Sequence, residues 1–178
     1  MQWMTKLEHM VAGWLKNVPH LPESARRWIS DNAWWIVLIG TIITAFAVLF
    51  GLLGIVGLLA SYGTVGASYY VAATFTAWVL VTTIVTFVFT TLALILLAMA
   101  INPLKEKQKK GWVLLFANWL LSAVAIVINA ILSLNPVGFI TGILFGAVWL
   151  AISGYFLFEI HGQFAHVEKS KGIKEARA

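Results

Sequence analysis

The side chains able to do chemistry in this chain are few, and they keep to its margins. Seven Asp and Glu and four His are spread over 178 residues, and cysteine is absent. Disulfides, thiol redox chemistry and thiolate metal sites are thereby excluded. The four histidines are His9, His20, His161 and His166, all outside the long apolar runs. Glu159, His161 and His166 form the one polar cluster in the sequence. On a helix Glu159 and His166 share a face while His161 points elsewhere, a poor spacing for a single metal ion. The expected reading is a helix end, with His and Lys near the negative dipole terminus. Glu23, Asp31 and Glu106 are the other carboxylates available for head-group chemistry, and they show no acid–base spacing. No nucleophile elbow, P-loop or dinucleotide fingerprint occurs. No catalytic, cofactor-binding or metal-ligating residue is therefore expected, no cofactor is implied, and the chain is not expected to be an enzyme.

Within the apolar runs the polar side chains are all neutral. Asn118, Ser122 and Asn129 fall on one helical stripe with Ala125 and Ser133, and Thr83, Thr86 and Thr90 on another with Ala72 and Thr76. A primary amide in hydrocarbon needs partners. These stripes read as the interior of a helix bundle, or as a polar path for a neutral solute along Asn118, Ser122, Asn129, Thr83 and Thr90. Small residues form two further stripes: Gly40, Gly51 and Gly54 with Thr44 and Ala47, and the tandem GxxxG of Gly138, Gly142 and Gly146. Lipid tails offer no hydrophobic drive for helix association, so small residues allow the close approach that does the work. These glycines are expected to mark helix packing or an oligomer seam. The bulky Phe145 and Trp149 beside them weigh against a long flat dimer contact. The lack of any carboxylate, lysine or histidine in the apolar runs removes the usual relay of ion-coupled transport, a Schiff-base lysine and a bis-histidine haem inside the bundle.

The elements that must hold these residues follow from composition. Hydrophobic residues make up 61% of the chain, against roughly 45–50% in soluble domains, and mean hydropathy is +0.90. Four runs free of charged residues and histidine, 34–60, 71–101, 112–133 and 137–158, are long enough to span a bilayer core that takes roughly 20 helical residues. The first two exceed that length, so they tilt, bend or project, and Gly51, Gly54 and Gly57 permit a bend late in the first. The polar stretch ahead of the first run and the length of that run argue for an uncleaved anchor rather than a signal peptide. An Asn102-Pro103 stop and a basic loop follow the second run, and an Asn135-Pro136 turn precedes the fourth.

All 12 Lys and Arg lie in three segments: before the first run, between the second and third, and after the fourth. The other two loops, 61–70 and 134–136, carry none. The positive-inside rule places the basic segments, and both termini, on the cytoplasmic side. Tyr62, Tyr69 and Tyr70 suit the outer interface, and Trp28, Trp34, Trp35 and Trp112 the inner one, where an indole keeps its N–H wet.

Residues 3–18 pattern as an amphipathic helix, with Trp3, Met4, Leu7, Met10, Val11, Trp14, Leu15 and Val18 on one side. That side lies on the inner membrane surface or docks on protein. Pro19 ends it, and a short helix from Pro22 to Asn32 leads into the first span. The expected fold is an all-α membrane protein, a four-transmembrane-helix bundle with an N-terminal interfacial amphipathic helix. It divides into residues 1–33 (cytoplasmic or interfacial), 34–158 (transmembrane) and 159–178 (basic cytoplasmic tail). Lys105, Lys107, Lys109 and Lys110, with Trp3 and Trp14, are expected to contact anionic lipid head groups rather than nucleic acid.

The stretch Lys109-Lys110-Gly111-Trp112-Val113-Leu114-Leu115-Phe116 resembles a pattern in a family of small uncharacterised bacterial four-helix integral membrane proteins. Tyr155-Phe156-Leu157-Phe158-Glu159-Ile160-His161 is similar to the end of that pattern, where Arg often stands in place of His161. The resemblance implies a bacterial inner-membrane setting. No activity is known for the family, so no functional residue carries over. From the residues themselves the expectation is a non-enzymatic membrane protein acting by association, as a scaffold, accessory subunit or homo-oligomer, with membrane lipids and other membrane proteins as its partners. The alternative is an oligomeric channel or a carrier for neutral or lipid-like solutes.

Overall fold

The computed structural model describes Met10, Gly13 and residues 19–65 and 70–164, with the backbone alone described at 62–65 and 70–76. The amphipathic helix expected over residues 3–18, with Trp3 and Trp14, lies outside the described residues apart from Met10 and Gly13, which are helical. The side chains of Tyr62, Tyr69 and Tyr70, His166 and most of the basic tail lie outside them too.

Four helices, α1 (Glu23–Val65), α2 (Tyr70–Lys105), α3 (Lys109–Leu132) and α4 (Pro136–Glu159), follow one another, and no strand occurs among the described residues. All four are long and apolar enough to cross a membrane. The helical form follows from the residues: in hydrocarbon a long apolar segment must satisfy its backbone groups internally. Each helix packs on the next in chain order, and no extended contact joins α1 to α4. The outward faces are largely apolar, with Phe50 on α1, Val88 on α2, Val127 on α3 and Phe145 on α4 exposed.

The helices depart from the expected boundaries at three points. The short helix expected from Pro22 to Asn32 is continuous with the first span, so α1 runs for 43 residues. Pro22 lies just outside it, its carbonyl accepting from Arg26 N–H at 3.1 Å. Proline in a last turn lacks its N–H and crowds the carbonyl four residues earlier, yet α2 runs through Pro103 to Lys105. The basic loop shrinks to residues 106–108, leaving Lys105 at the end of α2 and Lys109 and Lys110 at the start of α3. Between α3 and α4, Leu134 takes a positive φ of 52°. Asn135 caps α4 by accepting from Gly138 N–H, the role its side chain suits.

The buried core sits at the basic end. Ala33 and Val37 of α1, Ala100 and Leu104 of α2, and Trp112 and Phe116 of α3 meet there with Leu157, Ile160 and Phe164. Gly111 makes this junction possible, because a Cβ at that position would stand 2.8 Å from Leu104 N. Trp112 is wholly buried rather than interfacial. The expectation that its N–H stays wet is therefore corrected: Nε1–H donates to the Leu157 carbonyl at 2.8 Å, which takes the place of water. Its ring stacks on Phe116 at a centroid distance of 5.3 Å. Two more indoles tie helices together the same way, Trp119 to Leu150 O at 3.0 Å and Trp78 to Leu132 O at 3.1 Å.

Candidate functional site

The lack of an extended α1–α4 contact leaves a lateral groove of about 580 Å³ toward the basic end. Trp28, Ile36 and Val37 of α1 form one wall, Asn118, Trp119 and Ser122 of α3 the floor, and Trp149, Ser153 and Phe156 of α4 the other wall. Aromatic and aliphatic walls with a few polar groups are the usual make-up of a binding cleft for an apolar molecule. Asn118 stands out among its residues: its Oδ1 is buried and accepts no hydrogen bond from the described residues. Ser122 donates to the Asn118 backbone carbonyl at 2.9 Å and so does nothing for the amide.

A second groove of about 420 Å³ lies on the other side of α3, between Phe89, Thr90 and Ala93 of α2 and Gly138, Gly142 and Trp149 of α4. Asn129 lines it, with its amide engaged on both sides: Nδ2–H donates to Ala125 O at 2.9 Å, and Oδ1 accepts from Thr86 Oγ1 at 2.8 Å. Thr83 and Thr90 turn their hydroxyls back on their own helix, to Val79 O at 2.7 Å and Thr86 O at 2.8 Å. The residues of the expected polar path thus do not line one passage, and Thr83 lines neither groove. Asn118 lies in the first, Thr90 and Asn129 in the second, and Ser122 on the ridge between.

The glycines divide as well. Gly142 and Gly146 face α3, where added Cβ atoms would stand 3.5 Å from Ala130 Cβ and 2.3 Å from Ile126 Cγ2. Gly138 lies against the Asn135 cap, and Gly51 against Phe87 of α2 at 3.2 Å. Gly40 and Gly54 face open space. A glycine outside these stripes, Gly154, provides the seat for the Trp119 ring at 3.2 Å.

A buried carboxylate lies at the basic end of the first groove. The Glu159 side chain is 4% exposed. It accepts from His20 Nδ1–H at 2.7 Å and from Leu21 N–H at 3.2 Å. Arg26 Nε stands 3.8 Å away. One turn earlier, Tyr155 Oη donates to Pro19 O at 2.8 Å. Of the polar cluster Glu159, His161 and His166, expected to be a helix end, His166 lies outside the described residues, and Glu159 enters this node. His161 lies against the Trp112 ring instead, at a centroid distance of 4.5 Å. A lone acidic residue just after an apolar run was the available signal, but its partners are 139 and 138 positions away in sequence. Nothing local points to them.

Of the loop lysines, Lys107 pairs with Asp31 of α1, and Lys105 Nζ stands 5.3 Å from the Trp34 ring centroid, in cation–π range. Lys110 is exposed.

Compared with protein-family models, curated proteins and solved structures, the chain finds no match.

Proposed function

We propose that this chain is a non-enzymatic integral membrane protein that acts by association, and that the association is with a second copy of itself through the groove between α1, α3 and α4. The observation that carries the reading is Asn118, an amide lining the groove toward the basic end whose buried Oδ1 has no hydrogen-bond partner among the described residues. A polar group in hydrocarbon is costly alone and becomes glue when a neighbouring helix supplies its partner. A half-turn of the amide about its last torsion exchanges donor and acceptor. A primary amide is therefore self-complementary, and a two-fold contact brings the same group from each copy. Gly142 and Gly146, facing α3 in the same chain, are not needed for that contact.

In this reading the four helices stand as a bundle in a bacterial inner membrane. The basic segments and both termini are cytoplasmic, and Lys105, Lys109 and Lys110 meet anionic head groups. The contacts of Glu159 with His20 and Leu21, and of Lys107 with Asp31, support it by gathering three basic segments at one end.

The test is the native mass of the protein released from lipid nanodiscs. The expected result is a closed oligomer of the 19.6 kDa chain that Asn118→Leu returns to single chains. A single chain in the parent protein overturns the reading. A single chain that retains a lipid gives the groove instead to a carrier of lipid-like solutes, which its volume of about 580 Å³ would suit.

A further inference from the structure

Helices α1 and α4 share no extended contact, yet the chain just before α1 is tied to the end of α4. Three atoms of it make these contacts, Pro19 O, His20 Nδ1 and Leu21 N, with Tyr155 and Glu159 as their partners, and Arg26 Nε of α1 itself stands 3.8 Å from Glu159. Glu159 lies at a helix C-terminus, where the dipole opposes a negative charge. It is also buried, where an uncompensated carboxylate is unfavourable. It is at ease there only while the strap of residues 19–22 is docked. The contacts are polar, few and at the rim of the helices, with His20 exposed. Undocking would return the carboxylate to water without opening the aromatic core around Trp112. The node is also placed to control the groove: Leu157 and Ile160, on either side of Glu159, and Trp28, just after Arg26, line it.

We propose that residues 19–22 form a releasable strap, clasped by Glu159, that holds α1 on α4 and sets the opening of the lateral groove. Docked, the strap fixes the start of α1 against the end of α4. Released, it leaves the start of α1 held near α4 only by the apolar core that Ala33 and Val37 share with Leu157 and Ile160, and free to part from α4 along the groove. Whatever wedges the groove open binds the released state better and shifts the balance toward it. By linkage, anything that pulls on the chain ahead of Pro19 changes affinity at the groove. The strap thus couples the N-terminal segment to the groove. This inference rests on the strap contacts and not on self-association, and a chain that stays single can carry it.

The chain has no cysteine, so paired spin labels can be introduced cleanly. Ser24→Cys with Gly162→Cys, both at exposed positions, reads strap docking. Ile39→Cys with Ile152→Cys, exposed on α1 and α4, reads the groove. In nanodiscs the expected result is one narrow distance distribution for each pair. In Glu159→Gln, and in His20→Ala/Tyr155→Phe, each pair should gain a population longer by about 5 Å, one helical turn. Arg27→Ala, which breaks only the exposed pair with Glu23, should change neither. Unchanged distributions in both strap variants overturn the proposal. So does a change at the first pair without one at the second, or an equal change in Arg27→Ala. If Glu159→Gln does not fold, His20→Ala/Tyr155→Phe decides alone, because it keeps the carboxylate.

Discussion

Thr86 of α2 donates its hydroxyl to Asn129 Oδ1 of α3 at 2.8 Å, and Asn129 passes its own N–H to Ala125 O at 2.9 Å. This bond joins α2 to α3, as the bond from Trp78 to Leu132 O also does. Membrane hydrogen bonds of this kind are worth about 0.6 kcal/mol on average and up to about 1.7. A double-mutant cycle of Thr86→Val and Asn129→Leu, read by denaturant titration in detergent micelles, should give a coupling within that range. Additive effects would show that the two residues act independently.

Trp112 should be the most sensitive aromatic position. Trp112→Ala removes a wholly buried ring and should cost about 3–5 kcal/mol. Trp112→Phe keeps much of the stacking on Phe116 but loses the bond to Leu157 O, a net term of about 1 kcal/mol. Equal losses in the two variants would rule out a separate contribution from the indole N–H.

Two glycines that look alike in sequence should respond oppositely to alanine. At Gly146 a Cβ would stand 2.3 Å from Ile126 Cγ2, and overpacking of this kind costs about 1–3 kcal/mol. Adding Ile126→Ala should recover part of that loss. At Gly54 nothing lies within 4 Å, so Gly54→Ala should be neutral or stabilising by up to about 1 kcal/mol through helix propensity. Equal destabilisation at both sites would contradict the packing of α4 on α3.

The turn before α4 should be improvable. Leu134 is exposed and holds φ at 52°, a left-handed conformation that costs an ordinary side chain about 1–2 kcal/mol. Leu134→Gly should raise stability by about 0.5–1 kcal/mol, once the greater freedom of glycine in the unfolded chain is counted. Asn135→Ala should lower it by about 1 kcal/mol by removing the acceptor for Gly138 N–H. Thermal melts monitored by helical circular dichroism check both.

The four helices were legible from their residues because length and the lack of charge suffice. The basic end was legible as well: all 12 Lys and Arg fall in three segments, and the node at Glu159 and the Lys107–Asp31 pair join parts of those segments in space. Boundaries were less legible where a local signal met a tertiary one. The Asn102-Pro103 pair reads as a stop, yet packing of Leu104 against Gly111 carries α2 onward to Lys105. Trp112 reads as an interfacial anchor, yet a carbonyl on another helix lets it be buried.

By itself, then, the sequence determined that long uncharged apolar segments become helices, because backbone groups in hydrocarbon have no other partners. It also determined the segregation of the 12 Lys and Arg into three segments. Only the tertiary structure decided that Gly146 meets a neighbour while Gly54 does not, that Asn129 finds Thr86 while Asn118 Oδ1 finds no partner among the described residues, and that Glu159 closes on residues ahead of α1. The physical reason is that the outward faces of these helices are as apolar as the inward ones. The contrast between buried and exposed sides that orients a helix in water is missing, and which face meets which neighbour is set by steric fit and a few hydrogen bonds between residues far apart in the chain.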